Sequence, residues 1–381
     1  MGIPGCRLPF LSVGRESLTM IEPSGGTSTR RGFTGWRWVA GGALYGLLLR
    51  ILFGALPSSY GGPMSVAFLL GTPIAVGALT IYGDRAAKPT IGTMLFKPWM
   101  AIALMLIGCG VTLLEGSICL ALLSPLFLVC SSLGGLVMGL ALRLSGPKQS
   151  KLKAVALLPF LLLVGEGQTP LENNELELRR SVVVDAEPHA VWLQILAARS
   201  IRPQELPLSL VHLMGVPKPV EGINVQTPSG EMRFSKWERG VNFRAIVTNR
   251  IEDRTISWHY IFDDRSFPAG SMDEHVAIGG RYFALRDTTF NLMPLPGGRT
   301  QLEIVAHHRV TTNINFYAVP AATLLGYDFI NTILTLYKSR SERAAPSATD
   351  ANDREHSVGD AGAHQRMNGV STLMGSRPMQ D

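Results

Sequence analysis

From Trp99 to Leu144 the chain runs for 46 residues with two charges, Glu115 and Arg143. A helix crossing a hydrocarbon core uses about 20 apolar residues, so this run predicts two antiparallel spans with Glu115-Gly116 at the turn between them. Two apolar stretches precede it, Trp38–Leu56, interrupted by Arg50, and Met64–Tyr82. A weaker one, Leu152–Gly165, follows with 14 residues. At ~1.5 Å per residue those reach ~21 Å of a ~30 Å core, so the segment crosses only if Lys153 and Glu166 snorkel or the bilayer thins. The expectation is a transmembrane helical bundle of four or five spans over residues 36–166. Arg50 is expected to snorkel to the outer surface and Glu115 to sit at the membrane surface; the alternatives are an arginine facing the bundle interior and an intramembrane acid. Pro73 and Pro125 are expected to kink their helices. No repeat and no paired intramembrane charges suggest transport.

Composition agrees: 46% of the 381 residues are hydrophobic and 17% charged, too apolar for a chain soluble throughout. The net charge of +6 does not point to nucleic acid. Between Glu172 and Phe316 there are 16 Lys plus Arg against 17 Asp plus Glu, and the basic excess lies beside the apolar runs. It falls before the first run (Arg30, Arg31, Arg37), between the second and third (Arg85, Lys88, Lys97) and between the fourth and fifth (Arg143, Lys148, Lys151, Lys153). The other two loops carry no Lys or Arg. The positive-inside rule then predicts an integral protein of the cell or inner membrane with a cytoplasmic N-terminus, and an extracytoplasmic soluble domain if the fifth run crosses. If it does not cross, that domain is cytoplasmic. Residues 1–35 and 344–381 lack any apolar period and are expected to be disordered tails. Cys6, Cys109, Cys119 and Cys130 have no metal or redox spacing and read as spectator thiols.

Beyond Glu175 the periods change. Leu176, Leu178, Val182 and Val184 alternate as in a strand, and Glu187-Pro188 opens a helix with Val191, Trp192 and Ile195 on one side. Arg202–Pro219 reads as a loop or short helix. Alternating runs Met232–Trp237, Val241–Ile251 and Thr255–Phe262, separated by short polar turns, predict an antiparallel meander. The irregular stretch Asp263–Gly280 is either a lid or an ordinary surface loop. Runs Arg281–Leu295 and Thr300–Val310 flank Pro296-Gly297-Gly298 and predict a hairpin. After Asn313, Leu324, Leu325, Tyr327, Phe329, Ile330, Ile333, Leu334 and Tyr337 recur at helical spacing, so a long amphipathic helix should close over the sheet. Read instead as a sixth span, Tyr317–Tyr337 would carry Asp328 and Asn331 at mid-membrane, which is costly.

This order of strand, helix, meander, PLPGGRT turn and closing helix, over about Leu176–Glu342, resembles the SRPBCC superfamily, which includes START-like proteins and polyketide cyclases. More loosely, LLEGSICLALLSP (Leu113–Pro125) resembles the membrane region that some members carry ahead of that domain. The resemblance implies an α+β helix-grip fold over residues 172–343, an antiparallel sheet around a long C-terminal helix with an apolar cavity between them for a hydrophobic ligand.

No nucleophile elbow, phosphate-binding loop, metal-binding motif or dinucleotide fingerprint occurs, so no cofactor and no metal are expected. On the last strand His308 shares parity with Leu302, Ile304, Ala306 and Val310 and should face inward, with His307 facing out. It is a candidate general base or ligand contact, or else a structural histidine bonded to a carbonyl. Trp258 and Tyr260 share a face with Ile256 and Phe262. The candidate ligand-binding set is Trp258, Tyr260, Phe290, Leu292, Ile304, His308, Tyr327 and Ile330. Alternation leaves the faces of Glu231, Arg244 and Arg286 open. Two functions stand: a membrane-anchored protein binding a lipid, isoprenoid or polyketide-like molecule, and a cyclase or hydratase in which His308 acts on a polyketide-like or steroid-like substrate. The lack of a clear catalytic set favours binding. A second titratable side chain within reach of His308 would favour the enzyme.

Overall fold

The computed structural model of the protein describes residues 28–56, 62–86, 89–145, 149–166 and 171–344. The expected tails therefore lie mostly outside the described residues, although the first helix starts inside the expected N-terminal one, at Ser28.

Five helices pack side by side: α1 (Ser28–Gly54), α2 (Thr72–Tyr82), α3 (Ile91–Val111), α4 (Ser117–Ser145) and α5 (Gln149–Glu166). Among the described residues, α3, α4 and the helix Asn315–Ala344 are long and apolar enough to cross a membrane. The second apolar run is not one α-helix. It opens with a 3-10 turn at Gly62–Met64 and a π-helical turn at Ala67–Gly71 before α2. Pro73 accounts for the wide turn, since it lacks an N–H and its ring crowds the carbonyl a turn earlier. Glycines let α2 and α4 touch along their backbones: a Cβ at Gly77 would lie 2.0 Å from the Ser131 carbonyl oxygen.

Two sequence expectations change here. The fifth run forms an 18-residue helix, longer than its 14 apolar residues suggest. It runs antiparallel to α2, with Leu152 and Val155 against the Tyr82 end. At the other end the Glu166 carboxylate accepts from the Val66 and Ala67 N–H groups at 2.7 and 2.9 Å. Glu166 thus satisfies a helix start rather than snorkelling. Arg50 does not snorkel either: its Nε donates to Glu115 Oε1 at 2.5 Å and its Nη2 to the Leu114 carbonyl at 2.7 Å. Both side chains are over nine-tenths buried. The partners lie 65 residues apart in sequence, and this pairing explains why neither side chain is exposed.

The described residues from 171 to 344 form an eight-stranded antiparallel sheet in the order β1-β8-β7-β6-β5-β4-β3-β2, curled around one long helix. The strands are β1 (Glu172–Val184), β2 (Ala197–Ala198), β3 (Pro219–Thr227), β4 (Gly230–Trp237), β5 (Asn242–Ile251), β6 (Thr255–Ile261), β7 (Phe283–Leu295) and β8 (Arg299–Thr312). Helices α6 (Pro188–Leu196) and α7 (Leu210–Met214) link the early strands, and α8 (Asn315–Ala344) closes the sheet. This is the helix-grip arrangement that the resemblance implies. The β7–β8 hairpin turns through Gly297 and Gly298 at φ +80° and +67°, a conformation that glycine adopts without strain. Strands β2 and β3 were not anticipated, because β2 is two residues long and β3 opens at a proline and contains Gly222.

Although apolar enough for a membrane, α8 is built into the sheet. Its Asp328 carboxylate accepts from Ser209 Oγ at 2.6 Å and from the Val211 N–H at 3.0 Å, holding the start of α7. Lys338 donates to the Val183 carbonyl at 2.5 Å, and Ile330, Leu334, Leu336 and Tyr337 are buried.

Removing one member of a buried ion pair leaves the other charge uncompensated. Arg50→Met is therefore expected to cost about 3 kcal/mol, and adding Glu115→Leu to restore most of it. Chemical denaturation of the detergent-purified chain and both variants measures this.

A two-chamber cavity beneath the closing helix

Alternation along each strand decides which side chains meet α8. On β8 it is unbroken, so Leu302, Ile304, Ala306, His308 and Val310 all point inward and are buried. On β7 a bulge between Leu285 and Asp287 reverses it, putting Leu285 on the same side as Thr288, Phe290 and Leu292. Arg286 sits at that bulge, which is why simple parity could not place it. The side chains leave two chambers under α8. The inner one is about 110 Å³ and the outer about 220 Å³. Trp237, Leu285, Ala306, Phe329 and Ile330 line both and so separate them.

Of the candidate residues, Trp258, Tyr260, Phe290, Ile304 and Ile330 line the inner chamber, and His308 and Ile330 the outer. Leu292 and Tyr327 line neither. Leu292 is core beside Leu302, beyond the end of the cavity, and Tyr327 turns its ring to the Arg180 guanidinium, 5.0 Å away. Three charges left open by alternation stay out of the cavity. Arg244 pairs with Asp263 at 3.0 Å, Arg286 with Glu175 at 3.8 Å, and Glu231 with Arg250 at 2.8 Å.

The inner chamber instead holds Arg233, only 6% exposed. Its Nη1 donates to the Ile195 carbonyl at 2.7 Å and to Asn224 Oδ1 at 2.9 Å, and its Nη2 to the Tyr337 hydroxyl at 2.9 Å. The guanidinium lies 4.5 Å from the centre of the Trp258 ring. Asn224 donates in turn to Glu231, so that carboxylate reaches the guanidinium through an amide. Sequence reasoning missed Arg233, yet the signal was present: Arg233, Ser235 and Trp237 alternate on one face of β4. Burial also raises the Tyr260 pKa, which keeps its hydroxyl neutral, and that hydroxyl donates to Thr288 Oγ1 at 3.1 Å.

The outer chamber is almost wholly apolar. His308, 2% exposed, is its main polar feature, and its Nε2 is buried without a hydrogen-bond partner. Phe283 packs beside the imidazole with 5.5 Å between ring centres. His307 faces out, 3.3 Å from Glu177. Met272, Val276 and Ile278 of the Asp263–Gly280 segment cover one side of the chamber. Among the described residues, no group of three His, Cys, Asp or Glu side chains could hold a metal.

No family model matches the sequence, and no curated protein does. Among solved structures, the chain is similar to the Zhui aromatase/cyclase from a Streptomyces species, at 13% identity over 46% of this chain and 98% of that one, with a TM-score of 0.29. It is similar to a point mutant of norcoclaurine synthase from Thalictrum flavum in complex with a transition state analogue, at 9% identity, 45% and 98% coverage and a TM-score of 0.28. It is also similar to a START superfamily protein from Mycobacterium smegmatis, at 15% identity, 44% and 99% coverage and a TM-score of 0.27. Less than half of this chain is covered in each case, and likeness at this level carries no argument about chemistry.

Burial disfavours the imidazolium of His308 and holds its pKa below the ordinary 6.5. Just below that pH the unfolded chain binds a proton that the folded chain does not. Stability therefore falls as the pH drops below 6.5 and returns as it rises. His308→Leu is expected to flatten this dependence and, by removing a buried unpaired nitrogen, to stabilise the chain at neutral pH by about 1 kcal/mol. Melting curves of both proteins across the acidic range test this.

Proposed function

We propose that this is a membrane-anchored binding protein that holds a hydrophobic ligand, a lipid, isoprenoid or polyketide-like molecule, under α8. The observation that carries the reading is the outer chamber: apolar on nearly all sides, with one buried, unpartnered polar atom, His308 Nε2, available to a ligand oxygen. Such a site binds by area and orients by a single hydrogen bond.

In this reading residues 36–166 form the membrane region and 172–343 the binding domain. Helices α3 and α4 have the length and apolarity of spans; α1, the Met64–Tyr82 run that ends in α2, and α5 are proposed to cross beside them, and the 18-residue length of α5 against α2 supports the fifth crossing. The basic loops then put the N-terminus in the cytoplasm and the binding domain outside. The alternative, a cyclase or hydratase with His308 as general base, needs a second titratable group beside the imidazole. His308 Nε2 has no hydrogen-bond partner among the described residues, although His275 and Tyr282 line the same chamber, so binding is preferred.

The full chain, purified in mild detergent without added lipid, is expected to release one apolar species per chain on organic extraction, identified by mass spectrometry. Ala306→Phe, which puts a ring where both chambers are lined, should lose that species while keeping the circular dichroism of the parent. A chain that releases nothing and takes up no apolar probe would overturn the reading.

A further inference from the structure

The sheet and α8 do not close the outer chamber by themselves. Ile118, Leu122 and Leu123 of α4, with Met64, complete its wall. Two flanks are fastened to α4. On one, Ile314, Tyr317 and Ala318 at the start of α8 join the apolar cluster at the centre of the helices, and the Tyr317 hydroxyl donates to the Leu122 carbonyl. On the other, the Asp263–Gly280 segment reaches the first turn of α4, where Asp273 Oδ2 accepts from the Cys119 N–H at 2.8 Å. Gly116 makes room for this contact, since a Cβ there would lie 1.2 Å from Asp273 Oδ1. Arg239 braces the same flank by donating to the Gly215 and Ser271 carbonyls at 3.0 and 3.4 Å.

Around the seam the surface is apolar. Val111, Leu113, Leu213 and Phe316 are 79%, 89%, 68% and 68% exposed. Val111 ends α3 and Leu113 lies in the α3–α4 turn, Leu213 is on α7 and Phe316 in the first turn of α8, and Ile107 of α3 and Val129 of α4 are likewise exposed. Large exposed apolar side chains at the ends of apolar helices fit a lipid environment better than water.

Resting on the binding role proposed above, we infer that the ligand enters the outer chamber sideways from the bilayer, through the seam between α4 and the Asp263–Gly280 segment, with Asp273 as the latch. Along this route an apolar molecule exchanges lipid contacts for those of Ile118, Leu122 and Leu123 without passing through water. The latch is one charge-assisted hydrogen bond, so opening it leaves both the sheet and the five helices intact.

The test uses the full chain with its four cysteines replaced by alanine and a Gly116→Cys/Asp273→Cys pair added. A Cβ at position 116 falls 2.2 Å from Asp273 Cγ, so the two thiols come within reach of a disulfide after a small adjustment. The protein is reconstituted in phosphatidylcholine–phosphatidylglycerol vesicles containing a diazirine-labelled palmitate, irradiated at intervals, and its adducts are mapped by peptide mass spectrometry. Oxidation is expected to slow labelling of the chamber residues Leu285 and Ala306 by about tenfold or more, and reduction to restore it. Labelling of lipid-facing Val129 should stay constant. Asp273→Ala, which needs no disulfide, is expected to speed chamber labelling. The same palmitate supplied through water on cyclodextrin, to protein in unlabelled vesicles, should label the chamber more slowly than palmitate already in its own bilayer. Equal chamber labelling in the oxidised and reduced states, no change with Asp273→Ala, or faster labelling from water would overturn the lateral route while leaving the binding role intact. A chamber never labelled in any state would overturn both.

Discussion

The position of α8 decides what the C-terminal half of the chain is. By length and hydropathy it is a segment that could enter a bilayer; what keeps it against the sheet is a few polar contacts placed along an apolar face. Asp328 is held by α7, Tyr337 by Arg233 and Lys338 by a β1 carbonyl. Burying Asp328 in hydrocarbon would forfeit its bonds to Ser209 and Val211 without replacing them. The same side chain that makes a sixth span costly therefore helps to secure the grip, and the chambers exist because the helix stays there.

How legible this was in the sequence depended on strand regularity. His308 could be placed from parity because β8 has no bulge, and its pairing with Leu176 on β1 keeps the register of the strand. Arg286 could not be placed, because the bulge beside it shifts the face of everything before it. Arg233 was legible in principle, from its alternation with Trp237, but a charged residue on an inward face runs against the usual expectation for a core. Its seat depends on distant partners: the Ile195 carbonyl at the end of α6 and Tyr337 on the closing helix.

Among the helices, the limit was distance along the chain. Arg50 and Glu115 each read as isolated charges in apolar runs, and an isolated charge is best sent to the surface. Only packing α1 against the α3–α4 turn makes them partners, and once paired they no longer need the surface. Glu166 follows the same logic, since its acceptors' worth becomes apparent only when the π-helical turn presents two free N–H groups. Helix lengths and turns can be read from hydropathy, whereas the partners of buried charges are a property of the assembled bundle.

The two halves meet at the α3–α4 turn, and the contacts there share residues. Arg50 fixes the turn from within by bonding the Leu114 carbonyl and the Glu115 carboxylate. The next residue is Gly116, against which Asp273 seats, and the next turn of α4 supplies Ile118 and Leu122 to the chamber wall. A buried ion pair contributes less to net stability than to fixing one geometry among several. Here that geometry is the position of a cavity wall: if the turn shifted by one residue, Gly116 would move away from the Asp273 carboxylate and a side chain would come against it. The charge pair inside the helices and the apolar chamber outside them thus impose one requirement on the same five residues, from Leu114 to Ile118.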